Sequence, residues 1–144
     1  MKSSRKWLAH ELAAFAASLP PGSRVLDAGS GDQRYRTLFE RHIYESADFE
    51  QVDKPYVSST YVCDLQSVPV ADATYDAIIF TQVMEHLSEP APVLKEFHRI
   101  AKDGCRLFYS APLCWEEHEV PYDFYRYTQF GVRHLFTKAG FEVE

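Results

Sequence analysis

The stretch Val25-Leu26-Asp27-Ala28-Gly29-Ser30-Gly31 decides the fold of this chain. A short apolar run ends in an acidic residue, and a Gly-x-Gly turn follows at once. This pattern predicts a buried strand that feeds a tight turn, with Asp27 at the carboxyl tip of the strand. Ligands of open α/β sheets bind outside the carboxyl ends of the strands. Gly29 and Gly31 lack a Cβ, so they can adopt positive φ and let a ligand approach the main chain.

The composition of the 144 residues predicts one folded domain. A net charge of −6 argues against nucleic acid as the main partner, because phosphate binding needs a basic face. The cysteines, Cys63, Cys105 and Cys114, lack Cys-x-x-Cys spacing, so we expect reduced thiols in a cytoplasmic protein. No apolar run approaches the ~18 residues of a membrane span, so no membrane association is expected.

Apolar periodicity and turn residues predict strands that alternate with helices. The predicted strands cover residues 24–28, 43–48, 60–63, 75–80, 106–110 and 141–144, and the predicted helices cover 1–20, 32–41, 90–102 and 128–139. This order indicates βαβ units and therefore a Rossmann-like α/β fold. We expect a doubly wound, mostly parallel sheet with helices on both faces, in one domain over 1–144 whose core spans 23–144.

Polar residues follow the carboxyl ends of successive predicted strands. They are Asp27, Asp48, Asp64, Thr81 and Gln82. Right-handed crossovers bring these ends to one edge of the sheet. Each Asp taken alone is an ordinary turn former. Their joint placement therefore predicts a ligand site at that edge.

The glycine turn departs from the dinucleotide fingerprint. Residues 29–34, Gly-Ser-Gly-Asp-Gln-Arg, lack the third glycine of Gly-x-Gly-x-x-Gly. Asp32 stands where a pyrophosphate would meet backbone amides, and a carboxylate repels phosphate. We therefore expect a ligand that has a ribose and a positive charge but no phosphate. S-adenosylmethionine, with its adenosine, sulfonium and amino-acid tail, meets that description.

The adenosine half of this ligand has three predicted contacts. Asp48 accepts hydrogen bonds from both ribose hydroxyls, with Asp53 as the competing candidate for that role. Asp64 accepts from the adenine amino group, while the backbone of Leu65 faces the ring.

The methionine half contacts the other strand tips. Asp27 favours the ammonium group, directly or through water. The turn over residues 29–31 lets the tail lie against the main chain, with Gly29 and Gly31 as its binding residues. Thr81 and Gln82 line the methionine side.

These motifs resemble class I S-adenosylmethionine-dependent methyltransferases of the small-molecule branch. Val25–Gly31 resembles the first motif of that family, Asp48 its acidic ribose residue and Cys63-Asp64-Leu65 its adenine-side motif. Tyr75–Leu87 resembles the strand-four segment, and the stretch from Tyr109 to Phe141 is also similar. The resemblance implies methyl transfer from S-adenosylmethionine to an oxygen or nitrogen of a small molecule.

The family's sheet usually has two strands beyond those predicted here. Because the chain ends at Glu144, within the predicted sixth strand, we expect a C-terminally incomplete sheet. Two explanations stay open. The chain is a fragment, or it completes its sheet by pairing with a second copy in a homo-oligomer.

The loop over 113–127 is the predicted acceptor side, because a loop of this length in a compact domain is usually functional. His118 is the candidate catalytic base near neutral pH. Alternatively it only anchors the loop, through Asp123 or a carbonyl. Asp123 and Arg126 are expected to pair and brace the loop. His86 has either a ligand contact or a structural role at the entry to a helix.

We expect no metal site. Neighbouring residues point in different directions, so the run Glu116-Glu117-His118-Glu119 is poor metal geometry. Two rival functions remain. One is a non-catalytic module that binds the cofactor or a partner, and the other is a nucleotide-dependent oxidoreductase.

Overall fold

The computed structural model describes residues 2–144. Its strands are β1 (Arg24–Ala28), β2 (Ile43–Asp48), β3 (Tyr61–Val62), β4 (Tyr75–Thr81) and β5 (Ala101–Ser110). Its α-helices are α1 (Lys2–Ser18), α2 (Pro90–Ile100) and α3 (Gln129–Lys138). Two short 3-10 turns cover Arg36–Phe39 and Met84–His86. None of these described helices has the length and apolar character needed to cross a membrane.

The five strands form a parallel sheet in the order β3-β2-β1-β4-β5. β1 lies at the centre, where Ala28 pairs with Ala47 of β2 and Asp27 pairs with Ile79 of β4. Because all strands run the same way, their carboxyl ends share one edge. The structure therefore confirms the predicted Rossmann-like α/β class.

Helices cover both faces of this sheet. On one face, Ala77 and Ile79 of β4 pack with the apolar side of α1. On the other face, Ile78 and Phe80 pack with α2 and α3. Successive side chains of a strand point to opposite faces, so a strand that is covered on both sides needs an unbroken apolar run. The run in β4 meets that need.

The predicted helix over 32–41 is wrong. The structure has only the 3-10 turn Arg36–Phe39 in this segment. Gln33 has φ +50°, which a right-handed helix does not allow. Its side-chain amide donates hydrogen bonds to the carbonyls of Ser58, at 2.9 Å, and Val57, at 3.4 Å. Gln33 therefore ties this segment to the loop after β2 instead of starting a helix.

The predicted sixth strand over 141–144 is also wrong, since no residue of this segment is in a strand. Phe141 packs against Phe136 of α3, with ring centroids 5.9 Å apart. The carbonyl of Val143 accepts a hydrogen bond from Arg133 at 2.7 Å. Among the described residues, the segment is thus held by α3 and not by a neighbouring strand.

β5 begins at Ala101 and not at the predicted Arg106. Tyr75 pairs with Ala101, whereas Ala77 pairs with Arg106, so the register shifts between these pairs. The helix predicted to reach residue 102 ends at Ile100, and the extra residues of β5 include Gly104 at φ +76°, a conformation typical of a turn. An irregular strand explains why a turn signal occurs within it.

Phe97 tests the core between the sheet and α2. It is fully buried, and its ring meets that of Phe80 edge-on at 4.9 Å. We expect Phe97→Ala to lower the free energy of unfolding by about 3–5 kcal/mol, because burial is lost and a cavity remains. Phe130 on α3 is 74% exposed, so Phe130→Ala is the matched control, with a change within about 0.5 kcal/mol. Urea unfolding measures both, and equal losses would contradict this packing.

Candidate functional site

A cleft of about 290 Å³ lies at the carboxyl edge of the sheet, between the loops that follow β2 and β5. The sequence-predicted residues that line it are Gly29, Gly31, Asp48, Asp64, Leu65 and Gln82. Asp27, Thr81 and His118 are not among the lining residues. The structure therefore brings most of the predicted cofactor residues to one cleft.

Main-chain amides fix the carboxylate of Asp48 in the cleft through hydrogen bonds to both of its oxygens. Its Oδ2 accepts a hydrogen bond from the amide of Gly31, and its Oδ1 accepts one from the amide of Glu50, both at 2.8 Å. Its main-chain carbonyl accepts from the amide of Cys63 at 3.0 Å. Asp53, the competing candidate, does not line the cleft. The carboxylate of Asp48 is thus fixed between the tips of β1 and β2.

The two glycines of the turn have different reasons to be glycine. Gly29 has φ +76°, and a Cβ added there would lie 2.4 Å from Cγ2 of Val83. Gly31 has φ +49°, but a Cβ added there would meet nothing within 4 Å. The amides of Gly29 and Ser30 both donate to the carbonyl of Ala47, at 2.8 and 3.2 Å. Gly29 is therefore required by packing, whereas Gly31 leaves free space beside the main chain.

Asp27 is buried at the centre of the sheet edge. Burial raises the pKa of its carboxyl to about 6, although the hydroxyl of Tyr44 donates a hydrogen bond to Oδ2 and favours the ionised form. The negative charges of Asp48 and Asp32 raise the pKa further. A cation near Asp27 would therefore stabilise its charged form.

Asp32 does not lie in the cleft, where the sequence suggested that its carboxylate would repel a phosphate. Its carboxylate is paired with the guanidinium of Arg34, at 2.6 Å, and it does not line the cleft. This pairing holds the pKa of Asp32 below its usual value. A different feature disfavours a pyrophosphate. No helix starts directly after the glycine turn, so the amides of a helix N-terminus are not available there.

The charge of the cleft also disfavours phosphate. Its acidic lining residues are Asp48, Asp64, Glu89 and Glu119. Among the described lining residues, Lys54 is the one Lys or Arg, and its ammonium is paired with Glu119. That ion pair also joins the two loops across the cleft. An anionic cleft of this kind suits a ligand that carries positive charge.

The predicted brace of the long loop is confirmed. The guanidinium of Arg126 binds both carboxylate oxygens of Asp123, at 2.6 and 2.9 Å, and also contacts the carbonyls of Trp115 and Glu116. The amide of His118 donates to Asp123 Oδ2 at 2.9 Å. The Arg126 guanidinium holds the pKa of Asp123 well below its usual range. Asp123 therefore organises the loop over 115–126 as a fixed anion.

His86 and His118 meet beside the cleft. Their rings are nearly perpendicular, with centroids 4.7 Å apart, and His86 lines the cleft. Nδ1 of His86 lies 2.9 Å from the carbonyl of Tyr122. Nδ1 of His118 lies 3.1 Å from the carbonyl of Glu116. Burial lowers the pKa of His86.

Glu85 is a candidate residue that the sequence interpretation missed. Its side chain is fully buried, and neither carboxyl oxygen has a hydrogen-bond partner among the described residues. Burial raises the pKa of Glu85 to about 7. Its position next to the apolar pair Val83-Met84 was the available signal, because a carboxylate that is buried with such neighbours needs a partner.

Comparisons with known proteins identify the family. A family model described as "Methyltransferase domain" matches residues 3–144. The chain therefore belongs to the methyltransferase-domain family, as the motifs suggested. The ubiquinone/menaquinone biosynthesis C-methyltransferase UbiE of Burkholderia mallei is 25% identical in an alignment 139 residues long, and the match covers 85% of this chain. The chain spans 56% of the length of that curated relative.

Solved structures share the fold. A putative methyltransferase from Bacillus halodurans has a TM-score of 0.78 and 17% identity, covering 94% of this chain and 69% of that one. An S-adenosylmethionine-dependent methyltransferase from Aquifex aeolicus has a TM-score of 0.72 and 22% identity, covering 94% and 80%. These TM-scores establish a common architecture, the class I methyltransferase fold.

Gly29 and Gly31 offer a paired test of the turn. We expect Gly29→Ala to lower the free energy of unfolding by roughly 2–5 kcal/mol, because positive φ and the clash with Val83 add together. Gly31→Ala should lower the free energy of unfolding by only about 1–2 kcal/mol, because positive φ is its one source of strain. Urea unfolding measures both variants. Adding Val83→Ala to Gly29→Ala should recover the clash part, and a double variant that is no more stable would contradict the packing argument.

The raised pKa of Asp27 predicts that the free energy of unfolding depends on pH. Its carboxyl releases a proton near pH 6 in the folded chain but at about pH 4 in the unfolded chain. The folded form therefore loses relative stability as pH rises through this window, by up to about 3 kcal/mol. The side chain in Asp27→Asn does not ionise, so this variant does not lose stability in the same way. Its amide oxygen still accepts the hydrogen bond from the Tyr44 hydroxyl. Its stability advantage over the original chain should grow between pH 4 and pH 7 in urea titrations. A constant difference would contradict the assignment.

Proposed function

We propose that this chain binds S-adenosylmethionine in the cleft and transfers its methyl group to an oxygen or nitrogen of a small molecule. The observation that carries the proposal is the carboxylate of Asp48, held by the amides of Gly31 and Glu50 in an acidic cleft. The family match supports methyl transfer. The name of the UbiE relative specifies a C-methyltransferase, so a carbon acceptor is the second candidate.

The adenosine half fits the side of the cleft formed by β2 and β3. Asp48 keeps lone pairs for the ribose hydroxyls after accepting two amide hydrogen bonds. Asp64 Oδ1 accepts from the amide of Gln66 at 2.9 Å, and we assign Oδ2 to the adenine amino group. Leu65 is almost fully buried, so its main chain offers a fixed surface for the ring.

The methionine half fits the glycine turn. The free space beside Gly31 leaves room for the tail, and the buried carboxyl of Asp27 favours its ammonium. Gln82, at φ +57°, lines the cleft, and its side-chain amide donates to Ser110 Oγ at 3.3 Å. Thr81 precedes it at the end of β4. When bound, the cofactor supplies a methyl group that its sulfonium has already activated for in-line displacement.

The acceptor side is the part of the cleft between the two long loops. Aromatic residues line it from both loops: Phe49 and Tyr56 from one, Tyr122 and Phe124 from the other. Such walls exclude water and hold the acceptor in line with the methyl group. For an acceptor that must lose a proton, the proposed base is His118, which is not a lining residue but whose ring contacts that of His86 on the cleft wall. Asp123 and the Glu116 carbonyl orient Nδ1 of His118.

Calorimetric titration with S-adenosylhomocysteine tests the proposal. We expect Asp48→Asn to weaken binding at least about tenfold, because a neutral amide is a poorer acceptor for the ribose hydroxyls. Asp53→Asn is the matched control and should bind like the original chain. Circular dichroism checks that each protein is folded. A folded chain that does not bind, or a variant pair with equal affinities, would refute the assignment of Asp48.

Two further readouts separate the rival functions. Thermal stabilisation by S-adenosylhomocysteine but not by NAD is expected, because the cleft is acidic and no helix of the described chain starts directly after the glycine turn. Methyl transfer to any member of a panel of oxygen, nitrogen and carbon acceptors separates an enzyme from a binding module. Binding without turnover over the whole panel would favour the binding module.

A further inference from the structure

Glu85, His86 and His118 form a cluster beside the proposed cofactor cleft. Their ligand atoms all lie within 4.8 Å of one another. His86 itself lines the cleft, so the cluster borders the space assigned to the acceptor. The proposed function uses His118 alone from this cluster.

Glu85 is the member that requires an explanation. Its carboxyl group is fully buried, and neither oxygen receives a hydrogen bond from the described residues. Its ion-pair contact is with Nε2 of His86, at 3.8 Å, beyond hydrogen-bond distance. A buried carboxylate without a donor is costly, so such a group is normally paired or bound to a metal.

The two histidines are held as metal-binding histidines are. Nδ1 of His86 faces the Tyr122 carbonyl, and Nδ1 of His118 faces the Glu116 carbonyl and Asp123 Oδ2, at 3.4 Å. A metal-bound histidine almost always donates its other ring N–H to a carbonyl or carboxylate. This orientation fixes the proton on Nδ1 and leaves Nε2 of each ring as a lone-pair donor.

We propose that Glu85, His86 and His118 bind a divalent transition-metal cation, with Zn²⁺ as the best match. Two imidazoles and one carboxylate suit Zn²⁺, whereas Mg²⁺ and Ca²⁺ prefer oxygen ligands. Catalytic zinc sites have three protein ligands and keep one position for a water or substrate. This metal site departs from the expectation drawn from the sequence, which considered only the neighbouring run 116–119.

The spacing of the ligand atoms is close to what Zn²⁺ needs. Zn–N and Zn–O bonds are about 2.0–2.2 Å long, so the ligand atoms of a tetrahedral site lie about 3–4 Å apart. Atoms within 4.8 Å of one another reach that spacing through small side-chain movements. Oε2 of Glu119 lies 3.8 Å from His86 Nε2 on the cleft wall, so Glu119 is in position to bind the cation or its water.

The cation defines the class of acceptor, a deduction that rests on the proposed function. A Lewis acid at the cleft wall would bind a hydroxyl oxygen and lower its pKa, so that the hydroxyl proton passes to water. The oxygen would then form a bond to the methyl carbon while the carbon–sulfur bond of the cofactor breaks and S-adenosylhomocysteine leaves. Hydroxyl-bearing acceptors and O-methylation follow from this placement. In this arrangement His118 would be a metal ligand and would not be the base, because its Nε2 lone pair is bound to the cation.

Calorimetric titration of the chelator-treated chain with Zn²⁺ tests the site. We expect one equivalent of Zn²⁺ to bind the original chain and to raise its melting temperature. His118→Ala removes a ligand, and Glu85→Gln replaces the carboxylate with a neutral, weaker oxygen ligand. Each should weaken binding at least about tenfold, since even changes to the hydrogen-bond partners of metal ligands cost that much. Glu89→Gln and His134→Ala are the matched controls. Glu89 lines the cleft outside the cluster and His134 is exposed on α3, so both should bind like the original chain.

Co²⁺ spectra identify the ligands independently. We expect visible bands of a nitrogen and oxygen site without the near-ultraviolet thiolate band that binding at Cys63 or Cys114 would add. Absence of Zn²⁺ binding by the original chain would overturn the proposal. Equal affinity in Glu85→Gln, or a thiolate band, would overturn it too. Because S-adenosylhomocysteine binding is measured separately, loss of the metal proposal would leave the proposed function standing.

Discussion

The carboxylate of Asp48 is the contact on which the cleft depends. One oxygen accepts from the amide of Gly31 after β1, and the other accepts from Glu50 after β2. The amides of Gly29 and Ser30 add two bonds to a single carbonyl of β2. These bonds turn two neighbouring strand ends into one rigid surface. An acidic side chain suits this position because it satisfies both amides and still has lone pairs for a ligand.

In the part of the chain that the structure describes, two buried carboxyl groups, those of Asp27 and Glu85, lack a hydrogen-bonded positive charge that would balance their ionised forms. Burial raises the pKa of Asp27 to about 6 and that of Glu85 to about 7, and no cationic side chain of the described residues is hydrogen-bonded to either carboxyl group. Asp123, by contrast, is neutralised by Arg126, and it holds its loop and the ring of His118 in place. The two under-compensated carboxyl groups lie where the proposals place positive charge, the ammonium of the cofactor and a metal cation. Stability of the folded chain and ligand affinity are therefore linked at both positions.

Local patterns were sufficient to predict the sheet and the acidic residues at the ends of its strands. The apolar runs of β1 and β4 indicate by themselves that these strands are buried. The prediction of a helix over 32–41 was wrong because the φ of Gln33 is set by its contact with Ser58, a residue distant in the chain. The Glu85 cluster was missed for a related reason. His118 comes near Glu85 only because the loop after β5 folds back, with the amide of Phe124 donating to the Glu85 carbonyl. Such long-range main-chain contacts leave no periodic trace in a sequence.

A crystal structure of the chain with S-adenosylhomocysteine is the most direct test of the central claim, that the acidic cleft is an adenosyl site. The account predicts ribose hydroxyls within hydrogen-bond distance of Asp48, the adenine beside Leu65 and the amino-acid tail along the glycine turn. Ligand density elsewhere on the molecule, or a ribose that does not contact Asp48, would contradict it.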